Sequence, residues 1–392
     1  MSVYRNFIRT DKGCRRKFIV NMGWKGLTGF LKFRRRRKKG MIFPAFQFIS
    51  ITNDCNLNCQ GCWVTSNGSR KYMPPDDITR IIEAGKKNGS YFFGILGGEP
   101  LMYKQLTEIF KNHPDSYFQL FTNGTLLTKS VAEQLRIAGN VTPLISLEGD
   151  EIIADIRRGG HGIYHRTLEA IRTATDEGLI TGVAISVCKS NIDMALSDEF
   201  VRLLHSIGVL YIWYYIYRPV GSKPNYDLAL NGEEIKRLRE FLVEGRRRLP
   251  MILIDSYWRA NGEPFCPAAD GLSHHINPDG YIEPCPVVQL TRENIADGDL
   301  VNVYENSVFL KDFRLEIMNK TKGCVLMEDP LWLRVFAEKH LAMNSSNREG
   351  FLKDLENAPV SVSHGSCPVI PEKSLVYRIA KKTAFLGMGA YG

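Results

Sequence analysis

The 392-residue sequence lacks any uninterrupted apolar run near the roughly 18 residues that span a bilayer. Its opening residues, Met1 to Phe7, lack the apolar stretch and small-residue cleavage site of a secretory signal. No internal repeat occurs, and no low-complexity tract beyond Arg34–Lys39. These absences argue against a membrane-spanning or exported protein and lead to the expectation of a soluble, cytoplasmic one. Apolar residues at 44% and charged residues at 24% argue against a disordered or fibrous chain. The length suits two or three domains with a substantial core.

The body of the chain also lacks a basic excess. The formal net charge of +9 at first suggests a nucleic-acid binder. Residues 1–40, however, hold 14 Lys or Arg against the single acid Asp11, and the rest holds 37 basic and 41 acidic groups. The positive charge belongs to a short arm, and nucleic acid ranks behind a membrane surface or a docking partner. Cysteine is sparse: Cys14, Cys55, Cys59, Cys62, Cys188, Cys266, Cys285, Cys324 and Cys367. An odd, clustered set in an unexported chain reads as metal ligation rather than a disulfide framework.

From about residue 43, β-rich runs at 45–52, 91–96, 117–121, 141–147, 180–188 and 209–217 alternate with helical stretches. The helical stretches fall near 77–88, 102–112, 128–138, 165–177 and 195–206. This order predicts parallel βαβ units in an α/β protein. Six units suit a partial (β/α)6 TIM-like barrel better than a doubly wound sheet, and ligands should gather at the C-terminal strand ends in either case. After a charged helix, Gly232 to Arg248, the alternation is lost. The expected divisions are an amphipathic extension over 1–42, the barrel over 43–250, a smaller loop-rich, cysteine-containing domain over 251–372 and a basic tail over 373–392.

Directly after the first strand, Cys55, Cys59 and Cys62 fall in one loop as Cys-x3-Cys-x2-Cys. Three thiolates so spaced can converge on a four-iron cluster and leave one iron open. The competing readings are a zinc knuckle and buried free thiols, although zinc wants a fourth ligand that this loop lacks. Gly97-Gly98-Glu99-Pro100 follows the second strand.

The triplet and this tetrapeptide together resemble the radical S-adenosylmethionine (radical SAM) superfamily. The resemblance implies a [4Fe-4S] cluster whose open iron is chelated by S-adenosylmethionine. Reductive cleavage there gives methionine and a 5′-deoxyadenosyl radical, fed by an electron donor such as flavodoxin or ferredoxin. It also implies cofactor contacts from Gly97, Gly98, Glu99 and Pro100, with Glu99 accepting from the ammonium group. Thr122 and Asn123 after the third strand, and Ser146 and Glu148 after the fourth, continue the pattern. Glu148 stands one methylene longer than the usual aspartate. Arg158 is the expected partner of the cofactor carboxylate. Tyr214, Tyr215 and Tyr217 are candidates for the substrate chamber, and Cys188 reads as a core residue.

Cys266 and Cys285 flank a turn, Asn277-Pro278-Asp279-Gly280, that predicts a hairpin. This resembles the start of the SPASM domain, reduced to a twitch-like form, and implies a second [4Fe-4S] cluster on Cys266, Cys285, Cys324 and Cys367. Zinc on the same thiols competes, and His274, His275 and His364 are substitute ligands. In the arm, Val20, Trp24, Leu27 and Leu31 form an apolar stripe beside Lys and Arg, as on an interfacial helix at the inner face of an anionic membrane. Packing of the arm on the barrel is the alternative. The expected function is hydrogen abstraction from a peptide, protein or lipid-like substrate. The competing function is a non-catalytic iron–sulfur carrier, against which the Gly-Gly-Glu-Pro loop argues.

Overall fold

The computed structural model describes residues 3–64, 69–222, 224–346 and 348–383. The basic arm forms α1 (Val3–Arg9), α2 (Lys12–Lys17) and α3 (Gly26–Lys38), with the wider π-helical winding over Phe18–Lys25 between the last two. Parallel strands then follow one another in chain order: β1 (Phe46–Thr52), β2 (Phe92–Gly97), β3 (Tyr117–Thr122), β4 (Val141–Ser146), β5 (Gly182–Val187), β6 (Tyr211–Ile216) and β7 (Ile252–Ile254). A doubly wound sheet reverses its order at a switch point, and this sheet does not, so the strands curl in the manner of a barrel. The connecting helices are α4 (Pro75–Lys87), α5 (Leu106–Asn112), α6 (Lys129–Ala138), α7 (Glu151–Arg158), α8 (Ile163–Asp176), α9 (Ile192–Ala195), α10 (Asp198–Ser206) and α11 (Gly232–Arg248).

Local chemistry explains these elements. In α4, Pro75 opens the helix, Asp76 and Asp77 sit at its positive end, and Lys86 and Lys87 at its negative end. Its Ile78, Ile81 and Ile82 fall on one face and are fully buried. Helix α11 starts with a reciprocal cap between Asn231 and Glu234. Helix α7 was not expected, because eight residues carry little periodicity. Its signal lies at its ends, where Asp150 caps Ile153 N–H and Gly159 closes it in the left-handed conformation.

On the other side of β1, the expected hairpin forms as β8 (Ser273–Ile276) and β9 (Tyr281–Glu283), turning at Gly280 with φ of 82°. Strand β8 pairs in parallel with β1, from Phe46 opposite Ser273 to Ile49 opposite Ile276. The sheet therefore runs without a break from the barrel into the cysteine-bearing region. That region is less loop-rich than expected: α12 (Leu300–Asn306), α13 (Val308–Lys320), α14 (Val325–Glu328), α15 (Pro330–Lys339) and α16 (Phe351–Asn357) follow the hairpin. Asp299, Ser307 and Asp329 cap three of them, and α13 buries Phe309, Leu310, Phe313 and Ile317 at helical spacing. The chain ends in α17 (Leu375–Thr383), and the rest of the expected tail, 384–392, lies outside the described residues.

The arm closes the end of the barrel opposite the strand C-termini. Asn21 donates to the carbonyls of Pro114 (3.0 Å) and Ser116 (3.0 Å), Lys17 to Ala138 (2.9 Å), and Asn6 to His205 (2.9 Å). Pro114 and Ser116 lie in the turn into β3, and Ala138 and His205 lie at the ends of α6 and α10, just before β4 and β6. Phe30 and Phe33 join Phe46, Phe92 and Tyr117 in the inner core, each such burial being worth about 2 kcal/mol. Gly29 is required here, since a Cβ would stand 1.9 Å from the Gly89 carbonyl oxygen. The packing face is thus accounted for, while the stripe of Val20, Trp24 and Leu31 faces outward, Trp24 being 68% exposed. Among the described residues no helix is long and apolar enough to cross a membrane.

Candidate active site

The loops after β1 to β6 meet around a cavity of about 230 Å³. Its lining takes in Cys55, Cys59, Cys62, Gly97, Gly98, Thr122, Asn123, Ser146, Glu148 and Arg158, together with Tyr215, Tyr217 and Arg218. Of the residues singled out in the sequence for this site, Glu99 and Pro100 are not in that lining, and Tyr214 instead donates from its hydroxyl to Ala195 O (3.2 Å) on the helical side of the sheet.

The second loop is fastened to the cysteine loop through its backbone. Gly98 N–H donates to Thr52 O and Glu99 N–H to Asp54 O, both at 2.8 Å. At Gly97, with φ of 132°, a Cβ would lie 2.1 Å from Thr52 O; at Gly98 it would lie 2.0 Å from Asp54 O. Glycine is what lets the two loops touch. The Glu99 carboxylate is fully buried and accepts from Leu101 N (3.0 Å), Thr122 Oγ1 (2.7 Å) and Asn123 N (2.7 Å). Burial raises its carboxyl above the ordinary value, and these donors pull it back. Glu99 thus holds the end of β3 against the end of β2. Asn123 passes the link on, donating to Asn56 Oδ1 (2.9 Å) in the cysteine loop.

Glu148 organises the far wall. One carboxylate oxygen pairs with Arg158, the other accepts from Ser186 N (3.1 Å), and Arg157 stands 3.9 Å away. Arg158 also reaches Cys59 Sγ at 3.7 Å. Burial pushes the Arg158 guanidinium down, but Glu148 and Cys59 outweigh it and keep the charge. The carbonyl of Arg157, at the end of α7, accepts from Gln60 N (2.9 Å), which anchors the cysteine loop to that helix. Burial pushes the Cys55 thiol up to about 11, with Glu99 and Cys59 adding to the rise and Arg158 opposing it.

These thiols face a cavity wall of backbone and cation, which is the donor set an iron cluster and a zwitterionic cofactor would use. Among the described residues, Asp312, Glu316 and His340 are the group whose three ligand atoms lie within 4.8 Å of one another.

Arg218 escaped the sequence reading, and Arg157, the neighbour of the chosen Arg158, takes a different place. Arg157 stacks its guanidinium over Tyr217 at 5.1 Å and reaches Cys188, which explains the buried, non-ligating place of that cysteine. Arg218 follows β6 and donates from Nε to Cys324 Sγ at 3.1 Å while lining the cavity. Its position after a strand end was the available signal.

The second cysteine set is brought together only in part. Cys266 and Cys324 add to the rise that burial imposes on the Cys285 thiol, and Arg218 opposes it. Cys367 lies beside other groups: burial raises its thiol, and Arg239, Trp258, Glu240 and Lys236 are the neighbours that act on it. Of the histidines, His274 stacks on Tyr304 at 5.3 Å, and His275 bridges Ser50 Oγ (2.7 Å) and Glu283 (2.6 Å). His364 alone sits by this set, with Nε2 at 3.1 Å from Phe265 O.

A barrel of this order, with cysteines, glycines and an arginine at its strand ends, is the architecture of a cluster-dependent radical enzyme. The sequence pattern of the family described as "Radical SAM superfamily" matches residues 49–198. An AdoMet-dependent heme synthase of Methanosarcina barkeri is 31% identical over 293 residues, covering 67% of this chain and 83% of that protein. A probable GTP 3′,8-cyclase of Methanocaldococcus jannaschii is 27% identical over 271 residues, covering 64% and 86%. In fold, the chain resembles Streptococcus suis SuiB bound to S-adenosylmethionine, with a TM-score of 0.62 at 20% identity over 73% of this chain and 71% of that one. The chain belongs to the radical SAM superfamily and is an enzyme of that class.

Proposed function

We propose that Cys55, Cys59 and Cys62 hold a [4Fe-4S] cluster with one open iron. Gly97, Gly98, Thr122, Asn123, Ser146, Glu148 and Arg158 receive S-adenosylmethionine beside it. When bound, the pair supplies reductive cleavage to methionine and a 5′-deoxyadenosyl radical that takes a hydrogen atom from substrate. The protein orients and shields. Glu99 and Pro100 shape the glycine loop from behind, Arg158 offers its fork to a carboxylate, and Tyr217 packs so closely on Gly61 that a Cβ there would meet its hydroxyl at 2.3 Å.

The substrate we propose is an anionic organic molecule rather than a peptide. The observation that supports this is Arg218, whose guanidinium lines the cavity between the two cysteine sets. The relatives named for GTP cyclisation and heme synthesis agree with a small, charged substrate. A second cluster on Cys266, Cys285 and Cys324, in a twitch-like region over 251–372, fits the same arrangement, with Cys367 a core thiol of that region. The arm and α17 bring the enzyme to an anionic membrane as a peripheral protein, and flavodoxin or ferredoxin would reach the cluster through the open cleft beside Leu57 and Ile156.

Anaerobic reconstitution and dithionite reduction test the substrate class by release of 5′-deoxyadenosine. Arg218→Met should keep the slow release seen without substrate and lose at least about tenfold of the stimulation by anionic metabolite pools. Equal stimulation of parent and variant would overturn the anionic reading.

A further inference from the structure

The radical chemistry leaves the closed end of the barrel unexplained. There a cavity of about 630 Å³ opens between α3, the 259–261 turn and α17. Phe30, Phe33 and Leu272 contribute apolar wall, and Arg34, Arg37, Arg259, Lys381 and Lys382 stand against one carboxylate, Asp270. That carboxylate is already divided between Arg37 (2.9 Å) and Arg259 (3.0 Å), and Lys381 is committed to Asp255 (2.9 Å). Arg34 and Lys382 have no ion pair among the described residues and leave the cleft with uncompensated positive charge. The arm and α17, which supply much of the cleft, leave apolar side chains uncovered: Ile19, Val20, Trp24 and Leu31 on the arm, Leu375 and Val376 on α17.

We infer that this cleft takes the phosphodiester headgroup of an anionic phospholipid, while the uncovered residues enter the lipid surface around it. The inference rests on the peripheral-membrane reading and names its recognition site. A nucleic acid presents the same phosphates, but it offers nothing to an aliphatic and tryptophan stripe. A lipid bilayer satisfies both halves of the surface.

The test uses the reconstituted full-length holoenzyme and vesicles of phosphatidylcholine with or without phosphatidylglycerol. It compares the parent with Arg34→Gln/Lys382→Gln and with a remote pair on the arm, Arg9→Gln/Lys12→Gln. Soluble dihexanoyl-phosphatidylglycerol, inorganic phosphate and a DNA duplex complete the ligands. Each cation near an anionic surface contributes roughly fivefold in affinity, so losing both in the cleft should weaken vesicle binding roughly 30-fold. The cleft pair should also lose the short-chain lipid, which the remote pair keeps and phosphate does not displace. Equal losses for both pairs, or tighter binding of DNA than of vesicles, overturn the headgroup site. If parent and cleft pair bind vesicles alike, the site falls and the peripheral reading stands. If the parent ignores vesicles but holds the short-chain lipid through Arg34 and Lys382, the peripheral reading falls and the site stands.

Discussion

Replacing Glu148 by glutamine should weaken the fold and the cofactor site together, because one carboxylate serves both. Its side chain is 6% exposed, and those of Arg157 and Arg158 are 6% and 14% exposed, so none of the three charges has much water. Glutamine removes the carboxylate charge from the Arg158 contact and leaves the guanidinium as its one ionised partner, at about 1–1.5 kcal/mol. It also turns an NH2 group toward either Arg158 or Ser186 N, leaving donor against donor at about 1–3 kcal/mol. The sum, about 2–4.5 kcal/mol, starts lower than the 3–5 kcal/mol expected for deleting a partner of a buried pair, as it should for an isosteric change. For a chain of 392 residues, melting entropy converts this to about 2–5 °C in calorimetry of the cluster-free protein. Equilibrium binding of S-adenosylmethionine to the loaded protein should weaken about tenfold as Arg158 loses its brace. Glu148→Asp keeps the charge and should fall between the two. If Glu148→Gln melts within about 1 °C of the parent and binds the cofactor equally, the assignment of Glu148 as the organiser of that wall is wrong.

Gly98→Ala should lose about four irons per chain relative to the parent, the content of the first cluster, since its Cβ would press on Asp54 O at 2.0 Å; Gly232→Ala, where nothing lies within 4 Å, should load normally. Cys324→Ala should lose about four irons by elemental analysis, and Cys367→Ala none; the reverse outcome would restore Cys367 as a ligand. Burial, with Arg246 and Arg239, pushes Lys381 down to about 7 against the pull of Asp255. A lysine depressed in the folded state binds fewer protons there than in the unfolded chain between its two pKa values, so its contribution makes stability rise with pH from about 7 to 10.5. The advantage of the parent over Lys381→Met in urea midpoint should therefore grow between pH 7 and 9.5, and a constant difference would contradict the assignment.

The strands and their order were legible because each reads locally as a short β-branched or aromatic run, and the chemistry-bearing loops follow them directly. The hairpin at Asn277 to Gly280 was legible for the same reason. Helix α7 was missed because its evidence is in its caps rather than its periodicity. The orientation of Glu99 was hidden because its partners, Thr122 and Asn123, lie more than twenty residues away and belong to the next strand. Cys367 counted arithmetically toward a four-cysteine set, but no local pattern tells that the turn at His364–Ser366 carries it toward Trp258 and α11. In the arm, no local pattern tells that Gly29 permits the close approach to Gly89 that fastens it.

The pairing of β8 with β1 sets how the molecule can be divided. A chain cut between residues 254 and 273 would separate two fragments that share one set of sheet hydrogen bonds. The first fragment would carry the cysteine loop but leave the edge of its first strand open to any other chain. The second would carry the hairpin with no strand to dock on. Such fragments should aggregate when expressed apart and complement each other when expressed together, as halves of one folding unit. For the same reason, the region bearing Cys285 has no hinge relative to the region bearing Cys55. The spacing between them is fixed by a ladder of amides rather than by a linker.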